Sequence, residues 1–347
     1  MAECVLVEIV SEIDLELIDA VQVEPRATWA TISSSLDVSA ATAARRWAAL
    51  ESAGVAWTGA TLGSEQFRGA IVEMRCAPGS LERVREALCS THNVYTVGRV
   101  TGDYDFYALT IAPTPARLRD AHDDFSRLGL HGFRFSVYSR VFGGPRWKLG
   151  VLNRSQVDAV RGGTEHGGRT VPVSRLEVEL FGALAADGRR SLKELGDELG
   201  MSPGAVGRRL RQIRRTGSLD IRADVARPLA GWPWAALVWV RAPDSLLAQM
   251  GHDVGSWPEV RFCAPVISAT NLLIIVNLRH PEELESIGAR LVSRYPQAEV
   301  VERRVILRLD KVHGHLLDDA GRSVGLVAMQ PWTNLEGGGS LQNERGA

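Results

Sequence analysis

The stretch MSPGAVGRRLRQIRRTG, residues 201–217, reads as a basic helix with its own start and stop signals. Ser202 stands as a cap before Pro203 at the first helical position, and Gly217 closes the segment. Much earlier, VSAATAARRWAALESAG (residues 38–54) has the same build: a serine start, a paired arginine and a terminal glycine. Most of the positive charge sits on the later copy, so the question is what the repetition is for.

Sliding the sequence against itself by about 163 residues extends the match well beyond these helices. DLELIDAVQVEPRATWATISSSLDVS (14–39) lies over EVELFGALAADGRRSLKELGDELGMS (177–202). Leu17 then meets Leu180, Arg26 meets Arg189, Leu36 meets Leu199, Ser39 meets Ser202, and Gly54 meets Gly217. Each copy reads as three short helices. In the second, Leu176, Leu180, Phe181 and Leu184 form an apolar stripe at helical spacing, and Asp187-Gly188 stops that helix. Ser191 with Glu194 three residues on has the spacing of a capping box, and Gly200 supplies the turn before the third helix. This is the helix-turn-helix pattern, whose last helix places its N-terminal residues against base edges.

The segment after each helical unit is rich in β-formers. GAIVEMRCA (69–77), NVYTVGRV (93–100), DFYALTIA (105–112) and FRFSVYSRVF (133–142) alternate with two helix-like segments in the order βαββαβ. WAALVWVRA (234–242), EVRFCAPV (259–266), LLIIVNL (272–278) and AEVVERRVILRL (298–309) repeat that order. The fold class is α+β: two helix-turn-helix, winged-helix-like units, each followed by a ferredoxin-like module. The expected boundaries are 11–60 and 66–145 for the first copy, 173–223 and 232–312 for the second. A Gly-rich, polar linker is expected over 150–172 and a flexible tail over 333–347.

The bulk properties limit the function classes. The chain has 347 residues and a formal net charge of −1, so affinity for nucleic acid must come from local patches. Cys4, Cys76, Cys89 and Cys263 lack zinc or CxxC spacing, which points to buried structural thiols in a reducing compartment. The acidic N-terminus lacks the basic start of a signal peptide and no apolar run has the length of a membrane span, so a cytoplasmic protein is expected. No phosphate loop, nucleophile elbow or zinc motif is present; no enzymatic activity, metal or cofactor is expected. His313-Gly314-His315 reads as a solvated turn, and His92, His122 and His131 are scattered without a role.

A helix-turn-helix followed by βαββαβ resembles the Lrp/AsnC family of transcription regulators. The residues that carry the likeness are Asp187-Gly188-Arg189, GMSPGAVGRRLRQIRRTG (200–217) and TGDYDFYALT (101–110), and it spans nearly the whole chain as two fused copies. The resemblance implies pairing of modules, a homo-oligomer of at least two chains, binding to double-stranded DNA, and a small effector such as an amino acid at a module interface. It also suggests a covalent pseudo-dimer whose two reading helices are free to diverge. On the second helix, Ser202, Ala205, Arg208, Arg209, Arg211 and Arg215 are the candidate DNA contacts. On the first, Ser39, Thr42, Arg45 and Arg46 remain, while Glu51 sits where the second copy has Arg214. That unit is either kept for pairing or reads a different half-site.

The family pattern makes Thr101, Gly102, Asp103, Tyr104 and Asp105 the candidate effector-binding residues. The matching SATNLLIIV (268–276) loses the charge, with Asn271 in place of the second aspartate. Similar proteins act as sirohaem decarboxylases and rely on His/Tyr/Arg patterns, matched here in part by His92, Tyr95 and Arg99. That enzyme and a non-DNA-binding scaffold are the alternatives.

Overall fold

The computed structural model describes residues 10–63, 67–138, 140–142, 147–161 and 174–330. The first helical unit comprises α1 (Glu12–Val23), α2 (Trp29–Ser33) and α3 (Ala40–Ser52). Ser11, Thr28 and Ser39 cap their starts, each accepting from the backbone N–H three residues on. The second comprises α7 (Arg175–Ala185), α8 (Leu192–Leu199) and α9 (Pro203–Thr216). The Ser191–Glu194 capping box forms, Ser202 caps α9, and Gly200 takes φ +64° to make the turn into it. Gly54 and Gly217, the matched helix ends, both adopt left-handed conformations (φ +65° and +70°).

Each reading helix runs into a strand that the sequence patterns did not single out. β1 (Ala56–Leu62) and β6 (Leu219–Val225) pair antiparallel, from Ala56 opposite Val225 to Leu62 opposite Leu219. They form a two-stranded ribbon that joins the two helical units. The helices cross over it: α7 packs on β1, and α1 packs on β6. All seven residues of β1 are buried, because the ribbon has helices on one side and the β modules on the other.

The modules have the expected order. The first is β2 (Arg68–Cys76), α4 (Leu81–Ser90), β3 (Val94–Val100), β4 (Phe106–Ala112), α5 (Pro115–Ser126) and β5 (Leu130–Tyr138). The second is β7 (Trp234–Arg241), α10 (Asp244–Gly255), β8 (Val260–Pro265), β9 (Leu272–Leu278), α11 (Glu283–Arg294) and β10 (Glu299–Val312). Within each sheet the spatial order is fourth, first, third, second.

The two sheets join within the chain. β10 pairs with β7 along Glu299–Val305 and with β3 along Ile306–Val312, so one long strand serves both modules. On the opposite side, Ile267 N–H donates to the Val137 carbonyl (2.8 Å), and bridges link Tyr138 with Val266 and Phe142 with Cys263. The sheet thereby closes into a barrel. Tyr95, Tyr107, Tyr138, Trp239 and Phe262 share one apolar cluster drawn from both inner faces. Residues from the inner faces of the two modules thus cover one another within this single chain.

Two segments differ from expectation. The first part of the expected linker 150–172 holds a helix, α6 (Arg154–Arg161). It is anchored because the buried Asp19 carboxylate accepts the N–H groups of Gly150, Val151 and Leu152 (2.7–3.2 Å), while Trp147, Leu149, Leu152 and Val160 join the core of the first helical unit. The remainder of that linker and the tail 333–347 lie outside the described residues. After β10, a hairpin of β11 (His315–Leu317) and β12 (Ser323–Leu326) reaches back to the ribbon, where Ser323 N–H donates to the Gly54 carbonyl (2.8 Å).

Candidate nucleic-acid interface and the seam beneath it

On α9, Val206, Leu210 and Ile213 are buried, which turns the intervening positions outward. Arg208, Arg211 and Arg215 are exposed along that outer face, with Ser202, Pro203 and Gly204 exposed at its N-terminal end. Ala205 is half-buried, and its N–H is held by the Ser202 hydroxyl (3.3 Å). Among the described residues none of these three arginines meets an acid, so α9 presents an uncompensated basic ridge.

The paired arginines divide their work. Arg209 turns back to Glu177 on α7 (3.3 Å) and to the Ser174 hydroxyl (3.1 Å). The equivalent Arg46 pairs with Asp14 on α1 (2.9 Å). The second arginine of each pair thus ties the first helix of its unit to the reading helix, while Arg208 and Arg45 remain exposed. On α3 the exposed face beside Arg45 is Ala41, Ala48 and Ala49, with Ser39 as cap and Thr42 half-buried against it. Trp47 is buried in the core, tilted against Trp29.

Arg214 leaves the basic ridge altogether. Its Nη2 donates to the Glu24 carboxylate (2.8 Å) of the other unit, with both side chains largely buried. This explains a departure between the copies: Glu24-Pro25 replaces Asp187-Gly188, and the glutamate is the partner of a cation that the first copy lacks. Asp187 instead accepts from Thr58 (3.1 Å) and the Arg189 N–H (2.7 Å).

The candidate effector loop lies at the β3–β10 joint. Thr101 exchanges two hydrogen bonds with Val305: its N–H donates to the Val305 carbonyl, and its hydroxyl accepts the Val305 N–H, both at 3.0 Å. Gly102 (φ +91°) and Asp103 are exposed. The Tyr104 ring is covered by the guanidinium groups of Arg304 (4.7 Å), Arg134 (5.6 Å) and Arg75 (5.8 Å). Asp105 is committed to the chain, accepting the Cys76 N–H at 2.7 Å. Behind Tyr104, the fully buried Glu73 carboxylate pairs with Arg134 and Arg304 and accepts from Trp239 Nε1 (3.3 Å). Burial pushes the Glu73 carboxyl up from its ordinary range, with the two arginines opposing.

His92, Tyr95 and Arg99 do not converge. His92 is exposed and contacts the Ala328 carbonyl (2.9 Å); Arg99 is exposed; Tyr95 is buried with its hydroxyl on that of Tyr138 (3.0 Å). His122 and His131 are exposed as well. The reading of His313-Gly314-His315 as a solvated turn is corrected. The β11–β12 hairpin folds it beneath the ribbon, where the His313 ring lies on Tyr95 (5.7 Å) and the His315 ring on Trp57 (5.2 Å). Arg222 Nη1 donates to His313 Nε2 (2.5 Å), and Arg222 Nη2 to Asp224 (2.7 Å). Burial and the adjacent Arg222 pull His313 down to about 3, and burial pulls His315 down to about 4. His313 is also the non-glycine residue found at positive φ (+49°) among the described residues.

This seam between ribbon and barrel escaped sequence reading because its residues stand far apart in the chain. Among the described residues no cluster of three or more potential metal ligands occurs, and no helix is long and apolar enough to cross a membrane. Cys76, Cys89 and Cys263 are free and buried, as expected, with burial pushing their thiols up to about 11, 11 and 12; Cys4 lies outside the described residues.

Comparisons with known proteins agree with the tandem. The model of the AsnC-type helix-turn-helix domain matches twice, over residues 10–51 and 177–214. The HTH-type transcriptional regulator LrpC of Bacillus subtilis is 22% identical over 143 residues, covering 41% of this chain and 97% of its own. The HTH-type transcriptional regulator FL11 of Pyrococcus horikoshii is 19% identical over 142 residues, covering 41% of this chain and 93% of its own. Each relative thus matches about two fifths of this chain at nearly its own full length. The siroheme decarboxylase NirDL, solved with an iron-uroporphyrin III analogue, shares the fold along 87% of this chain and 93% of its own (TM-score 0.56, 13% identity). The chain thus carries two AsnC-type helix-turn-helix domains in tandem, and each half is similar to a whole Lrp/AsnC-type regulator.

Proposed function

We propose that the protein is a sequence-specific DNA-binding transcription regulator of Lrp/AsnC type, a covalent pseudo-dimer with two unlike reading helices. The observation that carries this reading is the free basic ridge of Arg208, Arg211 and Arg215 on a capped helix that follows a left-handed turn. The joining ribbon fixes α3 and α9 relative to each other, so the operator is asymmetric: α9 supplies most of the phosphate attraction, and α3 reads with Arg45, Ser39 and Thr42 or serves pairing. An amino-acid effector is assigned to the loop Thr101–Asp105. Asp103, the exposed carboxylate there, takes its amino group, and exposed Gly102 allows close approach. Assembly of at least two chains through surfaces other than the closed sheets completes the proposal.

The test is binding to the DNA upstream of the protein's own gene across a salt series, with Arg208→Ala/Arg211→Ala/Arg215→Ala alongside. Specific binding that strengthens as salt falls and is lost in the variant supports the regulator; binding unaffected by the triple change sinks it. Calorimetry against amino acids and light scattering test the effector and the assembly. One observation favours a second reading: the fold is shared along most of the chain with NirDL. A sirohaem-decarboxylase-type activity would appear as a saturable absorbance change on titration with sirohaem, followed by loss of carbon dioxide.

A further inference from the structure

We infer that the seam between the two-stranded ribbon and the barrel is a binding site for a small organic anion with a flat apolar body, an aromatic carboxylate. A cavity of about 430 Å³ lies there, within the range of small-molecule sites, roughly 300–1,000 Å³. The lining residues that matter are Trp57, Asp224, Arg227, Trp232 and Arg261. Leu307 (59% exposed) and the exposed Asp319 form a rim open to solvent.

Charge selects the ligand. Arg222, Arg227 and Arg261 converge on this seam; Asp224 acts on all three, and Asp220 also acts on Arg222. Asp224 is taken up by Arg222 (2.7 Å) and lies at the limit of reach from Arg261 (3.5 Å). His313 accepts from Arg222 and is held neutral, so it offers no charge of either sign. Arg227 finds the neutral Asn277 amide oxygen, and burial depresses its guanidinium to about 10. The other acids of the cavity are occupied elsewhere: Asp319 pairs with Arg308, and Asp318 accepts the N–H groups of Ala320 and Arg322.

Arg227 thus has no carboxylate in hydrogen-bond contact, and Arg261 reaches one only at 3.5 Å, so two cavity-lining guanidiniums lack a close counter-ion. A buried cation without a close partner is costly unless an anion completes it. Two donors just behind the cavity-lining Arg227 and Asp224 have no partner: Nδ2 of the fully buried Asn277, whose amide oxygen receives Arg227, and Nε of Arg222, which pairs with Asp224. Guanidinium forks match carboxylate oxygens in pairs, and the indoles of Trp57 and Trp232 supply flat apolar walls. A ligand there would bridge Arg227, just beyond β6, to Arg261 on β8. Occupancy would therefore clamp the ribbon that carries both reading helices to the barrel. Only this regulatory consequence rests on the regulator reading.

The experiment titrates the full chain with benzoate and phthalate, with inorganic phosphate and benzylamine as comparisons, following tryptophan fluorescence and the melting temperature. We expect saturable responses to the aromatic carboxylates and none to benzylamine. Arg227→Met and Arg261→Met should each weaken the response about tenfold or more, the loss of one charge-assisted fork, while raising the melting temperature of the ligand-free protein. Absence of saturation with both carboxylates overturns the site, as does an equal response to benzylamine. Phosphate acting as well as phthalate overturns the aromatic assignment. Arginine variants that melt lower without ligand overturn the reading of these guanidiniums as lacking a close counter-ion, and Arg261→Lys, which keeps charge without the fork, should retain the fold and lose most of the response. Anion binding without DNA binding sinks the regulator reading alone; DNA binding without anion binding sinks this inference alone.

Discussion

Arg26 and Arg189, equivalent positions of the two copies, each bind the carbonyls on either side of the other. Arg26 donates to Gly188 (2.6 Å) and Arg190 (2.8 Å), and Arg189 donates to Pro25 (2.5 Å) and Ala27 (2.8 Å). The Arg189 guanidinium also lies 4.0 Å above the Trp29 ring. An exchange of this kind is what a two-fold interface imposes, where each contact recurs with the roles reversed. In this chain both halves of the contact are covalently connected. Burial depresses both guanidiniums, Arg189 to about 10, so the carbonyls that receive them are needed to hold the charge.

Removing either arginine should therefore loosen the pairing of the helical units. Arg189→Met leaves two part-buried carbonyls without a donor and is expected to cost about 2–4 kcal/mol in denaturant unfolding. Arg26→Met should cost a similar amount, and the double variant less than the sum, because the two loops form one contact. Strict additivity would show the two loops to be energetically independent.

The two arginines of each pair should separate stability from DNA affinity. Arg208→Ala should leave unfolding within about 0.5 kcal/mol of the parent, since its side chain is exposed and unpaired. It should weaken DNA binding by about 1–3 kcal/mol. Arg209→Ala removes the partner of Glu177, a largely buried carboxylate, and should destabilise by about 1–3 kcal/mol. If Arg209→Ala leaves stability unchanged and Arg208→Ala lowers it, the assignment of the two positions is reversed. In a salt series, neutralising Arg208, Arg211 and Arg215 together should flatten the log–log slope by about 2–3.

These distinctions show where the sequence was legible. The repeat, the caps and the glycine turns are local signals, and Ser191–Glu194, Ser202 and Gly200 behave as their spacing predicts. The alternating strands of the modules are equally local. The ribbon was not, because AWTGATL is buried on both faces and shows no alternation of apolar and polar positions. α6 was hidden for a different reason: RSQVDAVR is polar, and what orders its approach is Asp19, more than 130 residues earlier. At the candidate DNA interface, helical spacing placed Arg208 and Arg209 together, and only the position of Glu177 separates their roles. The seam cluster of Arg222, Asp224, Arg261 and His313 has no spacing signal at all, since distant segments of the chain bring it together.

The described thiols should be inert in the folded protein. With Cys4→Ser in place, Cys76, Cys89 and Cys263 should fail to react with a disulfide reagent at pH 8, because burial holds them two or more units above that pH. All three should react once denaturant unfolds the chain. Rapid labelling under native conditions would mean that the barrel opens far more readily than its closure by β10 implies.

Acid should expose the two seam histidines as a source of instability. His313 and His315 titrate at about 3 and 4 in the folded state, against the usual value near 6.5 when unfolded. Below that value the unfolded chain takes up protons that the folded chain refuses, so unfolding free energy rises with pH and falls as the solution is acidified. The window opens near pH 6.5 and closes near 4 for His315 and near 3 for His313, each histidine contributing at most ~1.4 kcal/mol per pH unit. Glu73 and Asp310, whose carboxyls burial pushes up, bend the profile the other way at its acidic end. The histidine contribution is isolated by comparison: urea unfolding at pH 7, 6 and 5 should show a shallower dependence in His313→Gln/His315→Gln than in the parent. Parallel profiles would place both rings in contact with water in the folded protein.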